Sequence, residues 1–213
     1  MTDGFDPLGD CYGLDRGTPL DRYYIQAFLA ENQESIQGQV LEVGDSRYTV
    51  SFGGDRVQTS EVIDIDSTNS NATLITDLCK PGSLPSSTYD CIILTQTLHL
   101  LREPGICLEN CLQGPRGVLL LTAPALSRLS PTYPDGDFWR FTVTGMSELF
   151  GKHWDGPFNV DAYGNLPICI GFLHGEVVEE TPDEVLRRRD PRFPLTVAVQ
   201  ARRHSRADRA ADG

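Results

Sequence analysis

The chain is short of positive charge. Its 18 Lys and Arg stand against 30 Asp and Glu, a formal net charge of −12. A surface that tracks phosphates needs a basic face. The only basic clusters are Arg187-Arg188-Arg189 and the stretch from Arg202 to Arg209, which read as a solvated helix end and a terminal tail. Nucleic acid is therefore not an expected substrate. Long apolar runs are also missing. Gly117 to Leu121 is among the longest, far below the roughly 20 residues a membrane span requires, so no membrane partner is expected. The start, Met-Thr-Asp-Gly-Phe-Asp, has neither a basic nor an apolar leader segment, and a cytoplasmic protein is expected. The six cysteines include no Cys-x-x-Cys pair. Cys107 and Cys111 stand one helical turn apart without a His or acidic cluster to complete a metal site, so the cysteines are expected to be structural and no metal is expected.

What is present is a regular alternation of short apolar runs with helical or turn-forming segments. At 213 residues the chain fits one α/β domain with a buried core. Residues 1–201 read as that single domain, opening with an irregular Gly-, Asp- and Pro-rich arm over 1–18, and 202–213 as a disordered tail. Leu20 to Asn32 carries Tyr24, Ile25, Phe28 and Leu29 at helical spacing, with Asp21 in the first turn where it suits the helix dipole. Strands are expected at Val40 to Val43, Glu61 to Ile65, Thr73 to Thr76, Cys91 to Thr95 and Val118 to Thr122. A short helix is expected over Arg47 to Phe52, ended by Gly53-Gly54, and longer ones over Leu98 to Cys111 and Thr144 to Phe150. Ala123 to Phe138, with three prolines, reads as a loop. Phe158 to Ala162 and Leu195 to Gln200 close the sheet, with an insertion between them that is apolar and partly helical from Ile168 to Glu180. That insertion caps a substrate pocket or forms the interface of a homodimer. The fold class is α/β: a doubly wound, mostly parallel sheet.

In open parallel sheets, ligands bind at the carboxyl ends of the strands near the switch in strand order. The first strand ends in Glu42-Val43-Gly44, and a glycine there lets the backbone approach a ligand closely. An acid after the second strand, Asp64 or Asp66, can accept from both ribose hydroxyls. Asp77, after the third strand, can accept from an adenine amino group. In order and at this spacing, these residues outline a site for an adenosyl cofactor.

The segments Val40-Leu41-Glu42-Val43-Gly44, Ala72 to Leu78 and Tyr89 to His99 resemble the class I S-adenosylmethionine-dependent methyltransferases, over roughly residues 20–200. Asp15 to Tyr24 and Asp137 to Thr142 look like a small-molecule or glycan-associated bacterial branch of that family. The resemblance implies seven strands with the last antiparallel, S-adenosyl-L-methionine as cofactor, and Glu42 and Gly44 beside its methionine half. The chain departs from the family where glycine usually recurs, with Ser46 and Tyr48 in those places. Lacking Gly-x-Gly-x-x-Gly, it is not read as a dinucleotide enzyme.

The expected cofactor contacts are Arg22 and Tyr23 from the first helix, Glu42, Gly44, Asp64, Asp66, Asp77, Leu78 and Thr95. Arginine forks match carboxylates, which points Arg22 at the cofactor's carboxylate. Trp139 and Arg140 are expected to wall the substrate pocket, with Phe141 in the core. His99, just past the fourth strand, is the candidate general base. The expected activity is methyl transfer to an oxygen or carboxylate of a sugar, nucleoside or natural product. The alternatives are a cyclase or lyase that keeps the cofactor without transferring its methyl, and a non-catalytic partner subunit.

Overall fold

The computed structural model describes residues 6–9, 11–85, 89–112, 117–130 and 135–203. The expected tail lies outside the described residues from position 204, as do Pro131 and Pro134 of the expected loop.

Seven strands form one sheet: β1 (Gly38–Val43), β2 (Val57–Asp64), β3 (Leu74–Ile75), β4 (Cys91–Thr95), β5 (Val118–Pro124), β6 (Phe158–Tyr163) and β7 (Thr196–Arg202). Their spatial order is β3-β2-β1-β4-β5-β7-β6. The first five run parallel, and β7 is antiparallel to both β5 and β6. The order reverses between β1 and β4, so the crevice of a doubly wound sheet opens above their carboxyl ends.

Alternation along the strands feeds two cores. Ile92 and Leu94 of β4 point to one side, which is covered by α2 (Pro104–Cys111) and α3 (Val143–His153). Cys91 and Ile93 point to the other, covered by α1 (Leu20–Glu31) and α4 (Leu166–His174). The buried stripe of α1 is Leu20, Tyr24, Ile25, Phe28 and Leu29, the set its spacing predicts. Every residue of β5 is buried, as a central strand demands. No described helix is long and apolar enough to cross a membrane.

Several expectations are corrected. The helix expected from Leu98 splits into a 3₁₀ turn over Leu98–Leu100 and α2, because Pro104 takes the first helical position and disfavours helical geometry in Glu103. Strand β2 starts at Val57, four residues early, since its outer half pairs along β1 without being buried. Arg202 belongs to β7, and the N–H of Arg203 donates to Gly117 O at 3.2 Å, so the sheet continues past the expected start of the tail.

The arm and the insertion pack against each other above the strand ends. Leu8 N donates to His174 O at 2.7 Å, and Tyr12 stacks on Phe172 with ring centroids 5.9 Å apart. Thr18 donates its N–H and hydroxyl to the Glu179 carboxylate at 2.9 and 2.7 Å. α4 is fixed at its start by Asn165, which accepts the Ile168 N–H at 3.1 Å, and it ends on Gly175 in the left-handed region (φ +94°). Its inner face buries Ile168, Cys169 and Phe172, while Leu166, Ile170 and Leu173 face outward and are exposed.

Candidate active site

Strand β1 delivers Gly44 to the crevice with φ +83°, a conformation that favours glycine. Its N–H donates to Ile63 O at 3.0 Å, and a Cβ at this position would point into open space. Beneath it the Glu42 carboxylate is buried and accepts three hydrogen bonds: from Tyr48 N (3.1 Å), Thr49 N (2.7 Å) and Thr49 Oγ1 (2.7 Å). These N–H groups lie in the first turn of the helical stretch that begins at Arg47 and continues as a π turn over Thr49–Gly53. Glu42 is thus an anion at a helix start, which satisfies amides that have no partner within the helix. Burial raises its carboxyl pKa, and the bonds from Thr49 and Tyr48 oppose that rise.

Glu42 therefore supports the loop from behind and is absent from the cleft wall, contrary to the expected contact. Ser46 and Tyr48, in the glycine positions, also stay out of the cleft lining. Tyr48 is buried in the core beside Phe52, and its hydroxyl accepts from Arg22 Nη1 at 3.4 Å.

Asp64 ends β2. Its Oδ1 accepts from Asp66 N at 2.9 Å and its Oδ2 from Asn69 Nδ2 at 2.6 Å. The same amide donates to Gly44 O at 2.7 Å, which ties the loops after β1 and β2 together. Asp66 is exposed and closes its own turn, accepting from Thr68 N and Oγ1 at 2.8 and 2.7 Å, which lowers its pKa. Of the two acids expected for the ribose, the structure puts Asp64 on the cleft and Asp66 outside it. Asp77 also lines the cleft, with Oδ1 accepting from Cys79 N at 2.8 Å, and Leu78 forms an apolar wall beside it. The cleft encloses about 380 Å³ and combines apolar walls with a few polar groups, the usual make-up of a small-molecule site.

Thr95 stops one residue short. The cleft is lined by Gln96 and Thr97, which the sequence reasoning missed. Gln96 has φ +47°, a sparsely populated conformation for a non-glycine residue, and its N–H donates to Thr122 O at 2.8 Å. Together with Leu100 it also borders a second cavity of about 190 Å³.

The second cavity is walled by the arm, the start of α1, the segment after β5, α4 and the start of β7. Of the expected site residues His99 lines it, and so does Arg22, which was expected to contact the cofactor and is absent from the larger cleft; Asp21, Asp137, Phe172 and Thr196 line it without having been named as site residues. Tyr23 lies outside both cavities, edge-on to Tyr24 at 5.2 Å. The Nδ1 atom of His99 is buried with no hydrogen-bond partner among the described residues. Burial lowers the His99 pKa to about 4, with Asp137 pulling it up and Arg140 pushing it down. His99 is therefore a neutral imidazole at neutral pH, a hydrogen-bond acceptor but a weak base.

Trp139 and Arg140 are not in the cavity wall. Arg140 forks onto Asp137 (2.5 and 2.9 Å) and also donates to Arg128 O at 2.9 Å. Trp139 Nε1 donates to Leu101 O at 2.8 Å, and the N–H groups of Phe138 and Trp139 donate to His99 O at 2.9 and 3.2 Å. These two residues hold Asp137 against His99, and the acid is what reaches the cavity. Phe141 is buried in the core as expected.

No protein-family model and no curated protein matches the chain. Solved structures do. A S-adenosylmethionine-dependent methyltransferase from Archaeoglobus fulgidus superposes with a TM-score of 0.57 at 12% identity, over 85% of this chain and 94% of that one. The putative methyltransferase solved with the Haloferax volcanii Trm112 methyltransferase activator gives 0.57 at 16% identity, over 86% and 91%. The [4+2]-cyclase SpnF gives 0.56 at 13% identity, over 89% and 84%. The chain has the fold of the class I S-adenosylmethionine-dependent methyltransferases.

Proposed function

We propose that the chain binds S-adenosyl-L-methionine in the larger cleft and transfers its methyl group to a small molecule held in the second cavity. One observation carries this reading: the two cavities meet at Gln96 and Leu100, at the carboxyl end of β4. A donor in one then faces an acceptor in the other. The cleft residues fit the adenosyl half. Asp64 accepts from ribose hydroxyls, Asp77 from the adenine amine, Leu78 packs on the base, and Gly44 leaves room for close approach. When bound, the cofactor supplies an electrophilic methyl on a sulfonium. The chain's part is to align an acceptor with it, and well-oriented proximity can supply about 7–11 kcal/mol.

His99, held neutral, accepts the hydrogen bond that orients the acceptor, and Asp137 stabilises any positive charge that develops on the imidazole. The cavity is slightly larger than one of about 150 Å³ that holds benzene, so it takes a reacting group about the size of one ring. The test is transfer of a labelled methyl group to a panel of small alcohols, carboxylates and amines. Label in a product supports the proposal. A second reading, retention of the cofactor without methyl transfer, draws support from the cyclase of the same fold. It gains if the cofactor binds and no acceptor in the panel takes up label.

A further inference from the structure

An asparagine stands among the apolar residues of α2. Asn110 is 2% exposed, in the company of the buried Cys107, Leu108 and Cys111. Both of its amide hydrogens are used: Nδ2 donates to Leu78 O and to Lys80 O, each at 2.9 Å. Its Oδ1 accepts from Gly82 N at 2.8 Å. All three partners lie in the irregular stretch after β3, which opens with Asp77 and Leu78 of the cofactor cleft.

A helix packed on a sheet asks for apolar residues on that face, and a buried amide costs free energy unless it is bonded. What these bonds hold is specific. Leu78 O and Cys79 N–H belong to one planar peptide unit, in which oxygen and hydrogen point in opposite directions. Asn110 holds the oxygen, so the N–H is turned the other way, to Asp77 Oδ1 at 2.8 Å. Strand β3 gives Asp77 little support of its own, being two residues long and at the edge of the sheet.

We propose that Asn110 is a positioning residue for recognition of the adenine amine: from α2 it fixes the Leu78–Cys79 peptide, and through that peptide the direction of the Asp77 carboxylate. The proposal rests on the cofactor reading above. It makes Asn110 part of the selectivity of the cleft although the residue is absent from the cleft lining.

Calorimetry with S-adenosylhomocysteine and with its 6-deamino analogue, whose purine lacks the amine, tests the proposal. Wild type is expected to prefer the first by about tenfold or more, the scale of a hydrogen bond to a charged group. Asn110→Ala should weaken S-adenosylhomocysteine by about tenfold and the deamino analogue by less than about threefold. In an Asp77→Ala background the same substitution should change S-adenosylhomocysteine by less than about threefold, because its effect runs through Asp77. Circular dichroism establishes folding, and Asn110→Ser, which keeps a hydroxyl at the site, is the milder variant should the alanine not fold.

Unchanged S-adenosylhomocysteine affinity in a folded Asn110 variant overturns the proposal. So does equal weakening of both ligands, an undiminished Asn110 effect in the absence of Asp77, or loss of folding in both variants: each would make Asn110 a fastener of the fold only. Equal wild-type affinities for the two ligands overturn it by removing the amine from recognition. Failure of folded wild type to bind either ligand contradicts the cofactor reading itself, and this proposal with it.

Discussion

The two cavities are built differently. The cleft is made mostly by the ends of β1 to β4, with Leu100, Leu101 and Gly136 closing it, and Asn69 ties the loops after β1 and β2 by reaching five residues back to Asp64 and across to Gly44. The second cavity gathers Tyr12, Asp21, His99, Asp137, Phe172 and Thr196 from distant parts of the chain, with the arm meeting the insertion where Tyr12 stacks on Phe172. Strand order sets most of the first, while the second depends on contacts distant in sequence. On the proposed reading the first would hold its ligand through the sheet itself, and the second could change its chemistry with little cost to the fold.

Substitutions that separate the cavities test this contrast. The largest effect is expected beneath the cleft. Glu42→Ala strips Tyr48 N, Thr49 N and the Thr49 hydroxyl of their acceptor, and should lower stability by about 3 kcal/mol, read from the midpoint of urea unfolding. Within the cleft, Asp64→Ala and Asp77→Ala should each weaken S-adenosylhomocysteine binding by roughly 1–3 kcal/mol. Asp66→Ala should leave it within about twofold, since its carboxylate only closes a turn. A large Asp66 effect would place the ribose elsewhere.

The second cavity should show itself through pH. His99 titrates near 4 in the folded chain and near 6.5 when unfolded, so between those values the unfolded chain binds more protons. Stability should fall as pH drops from 6.5 towards 4, by about 2 kcal/mol once partial exposure of the ring is allowed for. A His99→Gln variant should lose this component, and its unfolding midpoints at pH 7 and pH 4.5 measure it. A smaller effect is expected at the arm. Tyr12→Ala removes the stack on Phe172, worth about 1 kcal/mol, and should raise the acceptor KM while leaving S-adenosylhomocysteine affinity unchanged.

What could be read from the sequence follows the same division. Cys91–Thr95 is bounded by its apolar run and appears unchanged as β4. Gly44, Asp77 and Leu78 reach the cleft because strand order fixes where strand ends go. The choice between Asp64 and Asp66 needed the register: Asp64 pairs opposite Ile75 and ends the strand, so Asp66 falls in the turn beyond. Glu42 carried the right chemistry and the wrong direction, since neighbouring strand residues point to opposite faces. Asn69 lies in a run of Ser, Thr and Asn whose turn chemistry hides a single bridging amide. Asp137 was passed over for its neighbours Trp139 and Arg140 because a loop has no periodicity to say which side chain faces inward.

The claim on which the rest depends is that the crevice above β1, β2 and β4 holds an adenosyl group. Calorimetric titration of the folded wild-type chain with S-adenosylhomocysteine tests it most directly. One site of micromolar affinity, about −8 kcal/mol, that is weakened in Asp77→Ala and kept in Asp66→Ala is the predicted result. Absence of binding at millimolar ligand, or binding indifferent to Asp77, would contradict it.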